Sequence, residues 1–154
     1  MPENKQRLKL GTFLPYRLSV LANNVSTAIA SAYESRFGLS IPQWRVLAAL
    51  AEREGQRAAD IVQTIAMDKV TVSRAVNGLT AKQYVARRPA RHDGRAAILS
   101  LTKDGWRVYE QIVPIALAYE AALLSPLSAE ERAALDRLMT LLMQGARNLP
   151  RQEG

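Results

Sequence analysis

The strongest constraint on this chain is a pair of short helical patterns separated by a break only about three residues long. Arg57 to Met67 has the composition of a short helix, with Ile61, Val62 and Ile65 spaced to face inward. Asp68 belongs to the residue types that cap a helix N-terminus, and it opens a second helix over roughly Lys69 to Gln83. Two short helices joined so tightly form the helix-turn-helix pattern. After them, Tyr84 to Arg88 is apolar-aromatic then basic, and Ala96 to Leu101 alternates weakly. The intervening Pro89-Ala90-Arg91-His92-Asp93-Gly94 is rich in turn formers, so a hairpin with a basic tip is expected here.

The flanking segments read as helices. From Phe13 to Phe37, Leu14, Leu18, Leu21, Val25, Ala28 and Ala32 recur at steps of four and three until Gly38 stops the pattern. Ser40-Ile41-Pro42-Gln43 is a capping box with proline in the first turn, opening a helix to about Arg53. Glu54-Gly55-Gln56 reads as a turn. Thr102 starts a long helix to about Leu124, which Pro114 is expected to kink. Ser125-Pro126 breaks it, and Ser128-x-x-Glu131 launches a last helix with Leu135, Leu138, Leu141 and Leu142 on one side. The fold class is therefore mainly α with one small β-hairpin, in a chain of 154 residues, about one domain's worth.

Composition removes whole classes of chemistry. The chain has no cysteine and a single histidine, His92, so a structural zinc site, a thiol nucleophile and a histidine-centred triad all lack their parts. No paired-carboxylate motif stands out, and an enzyme is not expected; nor is any metal or cofactor. No apolar run reaches the roughly 18–20 residues needed to span a bilayer. Met1 to Lys9 has no apolar signal core, and with the cysteine count this points to the cytoplasm.

Charge supplies the positive clue. The net charge is +7, and between Arg57 and Arg107 ten bases face four acids, whereas the rest of the chain holds eleven against ten. The excess sits where a polyanion would meet the helix-turn-helix, although a solvated basic face has the same count. Projected at 100° per residue, Val72, Ala75, Val76 and Leu79 fall on one side of the second short helix. Val70, Ser73, Arg74 and Asn77 fall on the other. Arginine reads guanine and asparagine reads adenine by paired hydrogen bonds, while Lys69, Thr71 and Ser73 suit phosphate oxygens near the helix N-terminus. Arg87, Arg88, Arg91 and Arg95 crowd into nine residues, offset only by Asp93, which is placed to brace Arg95. An arginine at a hairpin tip suits the negative potential of a narrow minor groove.

The run from Asp60-Ile61-Val62-Gln63-Thr64 through Asp68-Lys69-Val70-Thr71-Val72-Ser73-Arg74 to Gly78-Leu79 resembles the helix-turn-helix of the MarR family of bacterial regulators. Asp93-Gly94-Arg95, followed by Leu101-Thr102-Lys103-Asp104-Gly105, resembles that family's wing. The order of elements matches from about Leu10 to Gly145. The resemblance implies one winged helix-turn-helix domain over 1–154, with a DNA-binding lobe at about 40–101. Helices at about 10–37 and 102–147 would form a homodimer interface, although packing within one subunit would account for the same leucine stripes. Carried over by position, Ser73, Arg74 and Asn77 lie on the recognition helix, and Arg95 is the wing arginine held by Asp93. The implied partner is double-stranded DNA with a palindromic operator, and the implied function is repression relieved by an effector.

Oxidation-sensing and zinc-sensing members need cysteines or several metal ligands, which leaves a small organic effector or none. The resemblance places an effector pocket between the dimer helices and the DNA-binding lobe, near Tyr16, Arg17, Asn23 and Asn24 of the first helix. Trp44 and Arg45 of the second and Trp106 and Tyr109 of the fifth complete it. Aromatics beside an arginine suit an aromatic acid, but the same aromatics would serve equally as core. Phe13-Leu14-Pro15-Tyr16-Arg17-Leu18-Ser19 is similar to members linked to aromatic-acid or hydroxycinnamoyl-CoA breakdown, so an acid or its CoA thioester is the expected effector class. The alternative is an architectural DNA binder with little sequence preference.

Overall fold

The computed structural model describes residues 6–90 and 93–152, with the backbone alone at 93–95. A 3-10 turn at Leu10–Thr12 leads into α1 (Leu14–Phe37), α2 (Ile41–Glu52), α3 (Ala58–Ile65) and α4 (Lys69–Ala81). Strands β1 (Val85–Ala90) and β2 (Asp93–Leu101) follow, then α5 (Lys103–Leu124) and α6 (Ala129–Arg147). The chain divides into two compact units at Ala116/Leu117, inside α5. No single helix among the described residues is long and apolar enough to cross a membrane.

Helix ends form where local chemistry directs them. Ser40 and Gln43 make the reciprocal capping box of α2, with Gln43 N–H donating to Ser40 Oγ at 3.3 Å and Ser40 N–H donating to Gln43 Oε1 at 3.0 Å. Gly38 closes α1 at a φ of 63°. The break between α3 and α4 has the expected length of about three residues, Ala66 to Asp68, and it turns on Ala66 at a φ of 52°. A left-handed alanine there costs about 1–2 kcal/mol, which the packing of the two helices offsets. Both helices stop short of the expected limits: α3 ends at Ile65 rather than Met67, and α4 at Ala81 rather than Gln83.

The core of the first unit joins α2, α3, α4, the root of the hairpin and one face of α1. Leu39, Val46, Leu47, Leu50, Ile61, Val72, Leu79, Leu99 and Ile112 are fully enclosed, with Val62 and Ile65 packed at the edge. Gly78 lets α4 approach α2, since a Cβ there would fall 2.4 Å from Gln43 Nε2. Gln56, 2% exposed, ties the turn after α2 to the hairpin. Its backbone pairs with Leu99 (N–H to O, 3.2 and 2.8 Å), while its Nε2 donates to the Ala49 carbonyl at 2.7 Å. A buried amide needs such partners, and here they lock three elements together.

Two expectations are corrected. The turn is tighter than Pro89 to Gly94: the ladder pairs Arg87 with Leu99, Arg88 with Ile98 and Pro89 with Ala97, then shifts register to Ala90 with Asp93. Proline is tolerated because β1 is an edge strand. Arg91 and His92, which the sequence places at the tip, lie outside the described residues. In α1 it is Ala30 and Tyr33, flanked by Ile29 and Phe37, that meet the core. Leu14, Leu18, Leu21 and Ala28 of the apolar stripe are exposed, with Val25 and Ala32 only partly covered.

In the second unit, Ser128 and Glu131 form the capping box of α6 (Glu131 N–H to Ser128 Oγ, 3.1 Å). Arg132 fastens the preceding turn by donating to the Leu124 carbonyl at 3.0 Å and the Leu127 carbonyl at 3.3 Å. No residue of α6 is buried, and Leu135, Leu138, Leu141 and Leu142 are exposed along it.

Candidate nucleic-acid interface

Helix α4 is built to present one face outward. Asp68 caps it by accepting from Thr71 N–H at 2.8 Å and from the Thr71 hydroxyl at 2.7 Å. The hydroxyl bond and then the backbone bond hold the Asp68 carboxyl below its ordinary value. They also use the single proton of the Thr71 hydroxyl, leaving Thr71 its lone pairs but no side-chain donor for a phosphate. Val72, Ala75, Val76 and Leu79 are buried on the inner face, while Lys69, Ser73, Arg74 and Asn77 are exposed on the outer. Val70 shares the outer face and is 59% exposed, an apolar side chain among polar ones. Projection turns it outward, and the folded lobe leaves it uncovered.

The hairpin separates its arginines. Alternation along β1 puts Arg87 on the same face as the buried Val85, turned towards α4, where its guanidinium donates to Asn77 Oδ1. Arg88 points the other way, towards the turn at Gly55; a Cβ on Gly55 would come 3.6 Å from its Nη2. Both arginines are exposed. Arg91 and the side chains of Asp93 and Arg95 lie outside the described residues. A concavity of about 360 Å³ lies where α3, α4 and the hairpin meet, lined by Arg57, Ser73 and Arg87 with Ala58, Ala97 and Leu99. Its polar side chains are the two guanidiniums of Arg57 and Arg87 and the Ser73 hydroxyl.

The eight residues considered for an effector fall into two groups. Tyr16, Arg17, Asn23 and Asn24 are exposed on α1. Trp44, Trp106 and Tyr109 pack together: Trp44 stacks on Tyr109 with centroids 5.8 Å apart, and Trp106 meets the edge of Tyr109 at 5.8 Å. Tyr33, absent from the expected set, joins Trp44 at 6.0 Å and is 2% exposed. Its phenol is pushed up by burial, with the Arg45 charge pulling the other way. Arg45 also donates to Ser26 Oγ at 3.4 Å, and Trp106 Nε1–H donates to Glu54 Oε1 at 3.0 Å. Tyr33 lies off the apolar stripe read along α1, and only the fold brings it to Trp44.

Among the described residues no group of three or more acidic or histidine side chains is arranged to hold a metal ion. The sequence profile of the MarR family matches residues 37–96, from the end of α1 to the wing. A helix-turn-helix-type transcriptional regulator of Bacillus subtilis, YwoH, is 30% identical over 108 residues, 70% of this chain and 78% of the relative. The fold superposes with a TM-score of 0.84 on a MarR/EmrR family transcriptional regulator from Acinetobacter, 25% identical, over 92% of this chain and 100% of that one. It also matches Bordetella bronchiseptica BpsR, whose DNA binding is regulated by 6-hydroxynicotinic acid. There the TM-score is 0.79 at 23% identity, over 94% of this chain and 100% of BpsR. The profile covers the helix-turn-helix and most of the hairpin, the solved structures share the flanking helices, and the relative is matched over 78% of its length: the chain belongs to the MarR family of DNA-binding transcriptional regulators.

Proposed function

We propose that this regulator acts as a homodimer that represses from a palindromic operator and is released by a small aromatic acid or its CoA thioester. The observation that carries the reading is the division of α4, with four apolar residues buried and Val70, Ser73, Arg74 and Asn77 exposed beside an arginine-bearing hairpin. In this reading residues 40–101 are the lobe that meets DNA. Arg74 and Asn77 read base edges, and Val70 rests against a thymine methyl. Lys69, Ser73, Arg87 and Arg88 hold the backbone, and Arg91 and Arg95, with Asp93 bracing the latter, enter the minor groove. Thr71 has the smaller part of shaping the cap.

The dimer is supported by apolar surface that the chain itself leaves uncovered. Leu14, Leu18 and Leu21 on α1, and Leu135, Leu138, Leu141 and Leu142 on α6, are exposed; a second copy would cover them. Two recognition helices entering successive major grooves need a separation of about 34–36 Å. The aromatic-acid effector is supported by aromatic rings next to Arg45 and by the ligand of BpsR, a hydroxylated aromatic acid. A ligand that favours the non-binding spacing by a few kcal/mol is sufficient for release. Such a protein works in the cytoplasm, where its operator is.

The test is selection of source-genome DNA fragments by the purified chain at near-physiological salt, followed by sequencing. Enrichment of a few palindromic sites supports the regulator, and the adjoining genes nominate the acids to try for release. Even coverage of the genome, with steep salt dependence, overturns it in favour of an architectural binder.

A further inference from the structure

The hydrogen bond between Arg87 and Asn77 links β1 to the outward face of α4, and it fixes how the Asn77 amide is presented. A guanidinium has only donors, so the amide must turn its Oδ1 to Arg87, which leaves Nδ2 as the group free to approach a base. An asparagine that reads adenine needs both halves of its amide: Oδ1 accepts from N6 and Nδ2 donates to N7. Here the accepting half is already taken. The second lone pair of Oδ1 would have to receive adenine's amino group alongside the guanidinium, donor against donor.

We propose that Arg87 makes Asn77 a donor-only reader, so that the base it faces is guanine or thymine rather than adenine. Guanine offers N7 and O6 as acceptors and thymine offers O4; neither presents an amino group in the major groove. Arg87 is thus a positioning residue that sets base preference through Asn77, in addition to any phosphate it meets. This rests on the reading of α4 as the recognition helix. Asn77 and Arg87 are both exposed, so replacing either leaves the core intact.

The experiment is enrichment of a randomised duplex DNA pool on the full-length chain, for the wild type and for N77A, R87M and R87K. The position that loses discrimination in N77A is the one Asn77 faces. Wild type is expected to favour guanine or thymine over adenine there by roughly tenfold, the discrimination of one good base contact. In R87M the freed Oδ1 accepts from N6, and adenine rises to parity or above. R87K restores a donor and with it the wild-type preference. Adenine preferred by the wild type overturns the inference. So does a uniform loss of affinity in R87M with preference unchanged, which is the behaviour of a phosphate contact alone. An N77A pool identical to the wild-type pool also overturns it. If no sequence is enriched at all, the recognition-helix reading beneath it fails, and the inference falls with it.

Discussion

Replacing Gly105 with alanine tests how the wing is joined to α5. Gly105 is buried in the first turn of that helix, and a Cβ added there would lie 2.1 Å from the Tyr84 carbonyl oxygen and 3.0 Å from its carbon. Ordinary contact begins at 3.4 Å, so the helix start must lift by more than an ångström against backbone that has no rotamer to change. The same carbonyl accepts Thr102 N–H at 3.0 Å, while Gly105 N–H donates to Thr102 Oγ1 at 3.0 Å. The Thr102 hydroxyl in turn donates to the Gln83 carbonyl at 2.6 Å. Overpacking costs about 1–3 kcal/mol, and rigid backbone puts this site at the upper end. Loss of one net hydrogen bond adds about 1 kcal/mol, and alanine's better helix propensity returns about the same. The expected destabilisation is therefore about 3 kcal/mol, a fall in Tm of about 6–12 °C for a chain of this size. Thermal and urea melts followed by circular dichroism, at one protein concentration, measure it. Gly145 in α6 is the control: a Cβ there meets nothing within 4 Å, so Gly145→Ala should be neutral or gain up to about 1 kcal/mol. Equal responses at the two glycines, or a Gly105→Ala loss below about 0.5 kcal/mol, would refute the close-approach argument.

Other perturbations reach different parts of the molecule. Arg95→Ala should weaken operator binding by about 1–3 kcal/mol in a fluorescence-anisotropy titration while sedimentation shows the same oligomer; unchanged affinity at moderate salt counts against the wing. Replacing each operator thymine in turn by deoxyuridine removes one methyl. The wild type should lose affinity at one position where Val70→Ala is indifferent, and equal losses in both proteins would remove Val70 from the interface. Leu138→Glu puts a charge on the exposed face of α6 and should shift sedimentation towards monomer at micromolar concentration; an unchanged mass places self-association elsewhere. Because the folded pKa of Asp68 is depressed, its cap contributes fully above the ordinary value of 3.8 and is lost as pH falls through the lower folded value. Asp68→Asn retains a capping side chain and should flatten that acid limb; an NMR titration in which Asp68 titrates at or above its ordinary value removes the basis for this.

Local chemistry was the most legible. The boxes at Ser40/Gln43 and Ser128/Glu131, the Asp68 cap and the Gly38 stop all form from residues within four positions of one another, so tertiary packing has little to override. The inner and outer faces of α4 followed from periodicity alone, because that helix has one apolar side. α1 has two. The stripe from Leu14 is more regular, but Tyr33 and Ala30 are the residues that meet the core, and only the arrangement of elements decides which side is claimed. The hairpin was over-read as turn because proline and glycine count as breakers, whereas an edge strand accommodates both. The bond from Arg87 to Asn77 spans ten residues and two elements, so spacing offered no sign of it.

The aromatic cluster also makes the protein its own reporter. The chain has two tryptophans, Trp44 and Trp106, and Tyr109 touches both. Neither lies on the outward face of α4 or on the hairpin, and the indole of Trp106 is bonded to a carboxylate beside the Gln56 clasp. Intrinsic tryptophan emission therefore comes entirely from the junction of α1, α2 and α5, with no background from the surface proposed to meet DNA. A shift in emission on adding operator would record strain carried from the groove to that junction. A shift on adding an aromatic acid would record its arrival there, and unlabelled protein suffices for both.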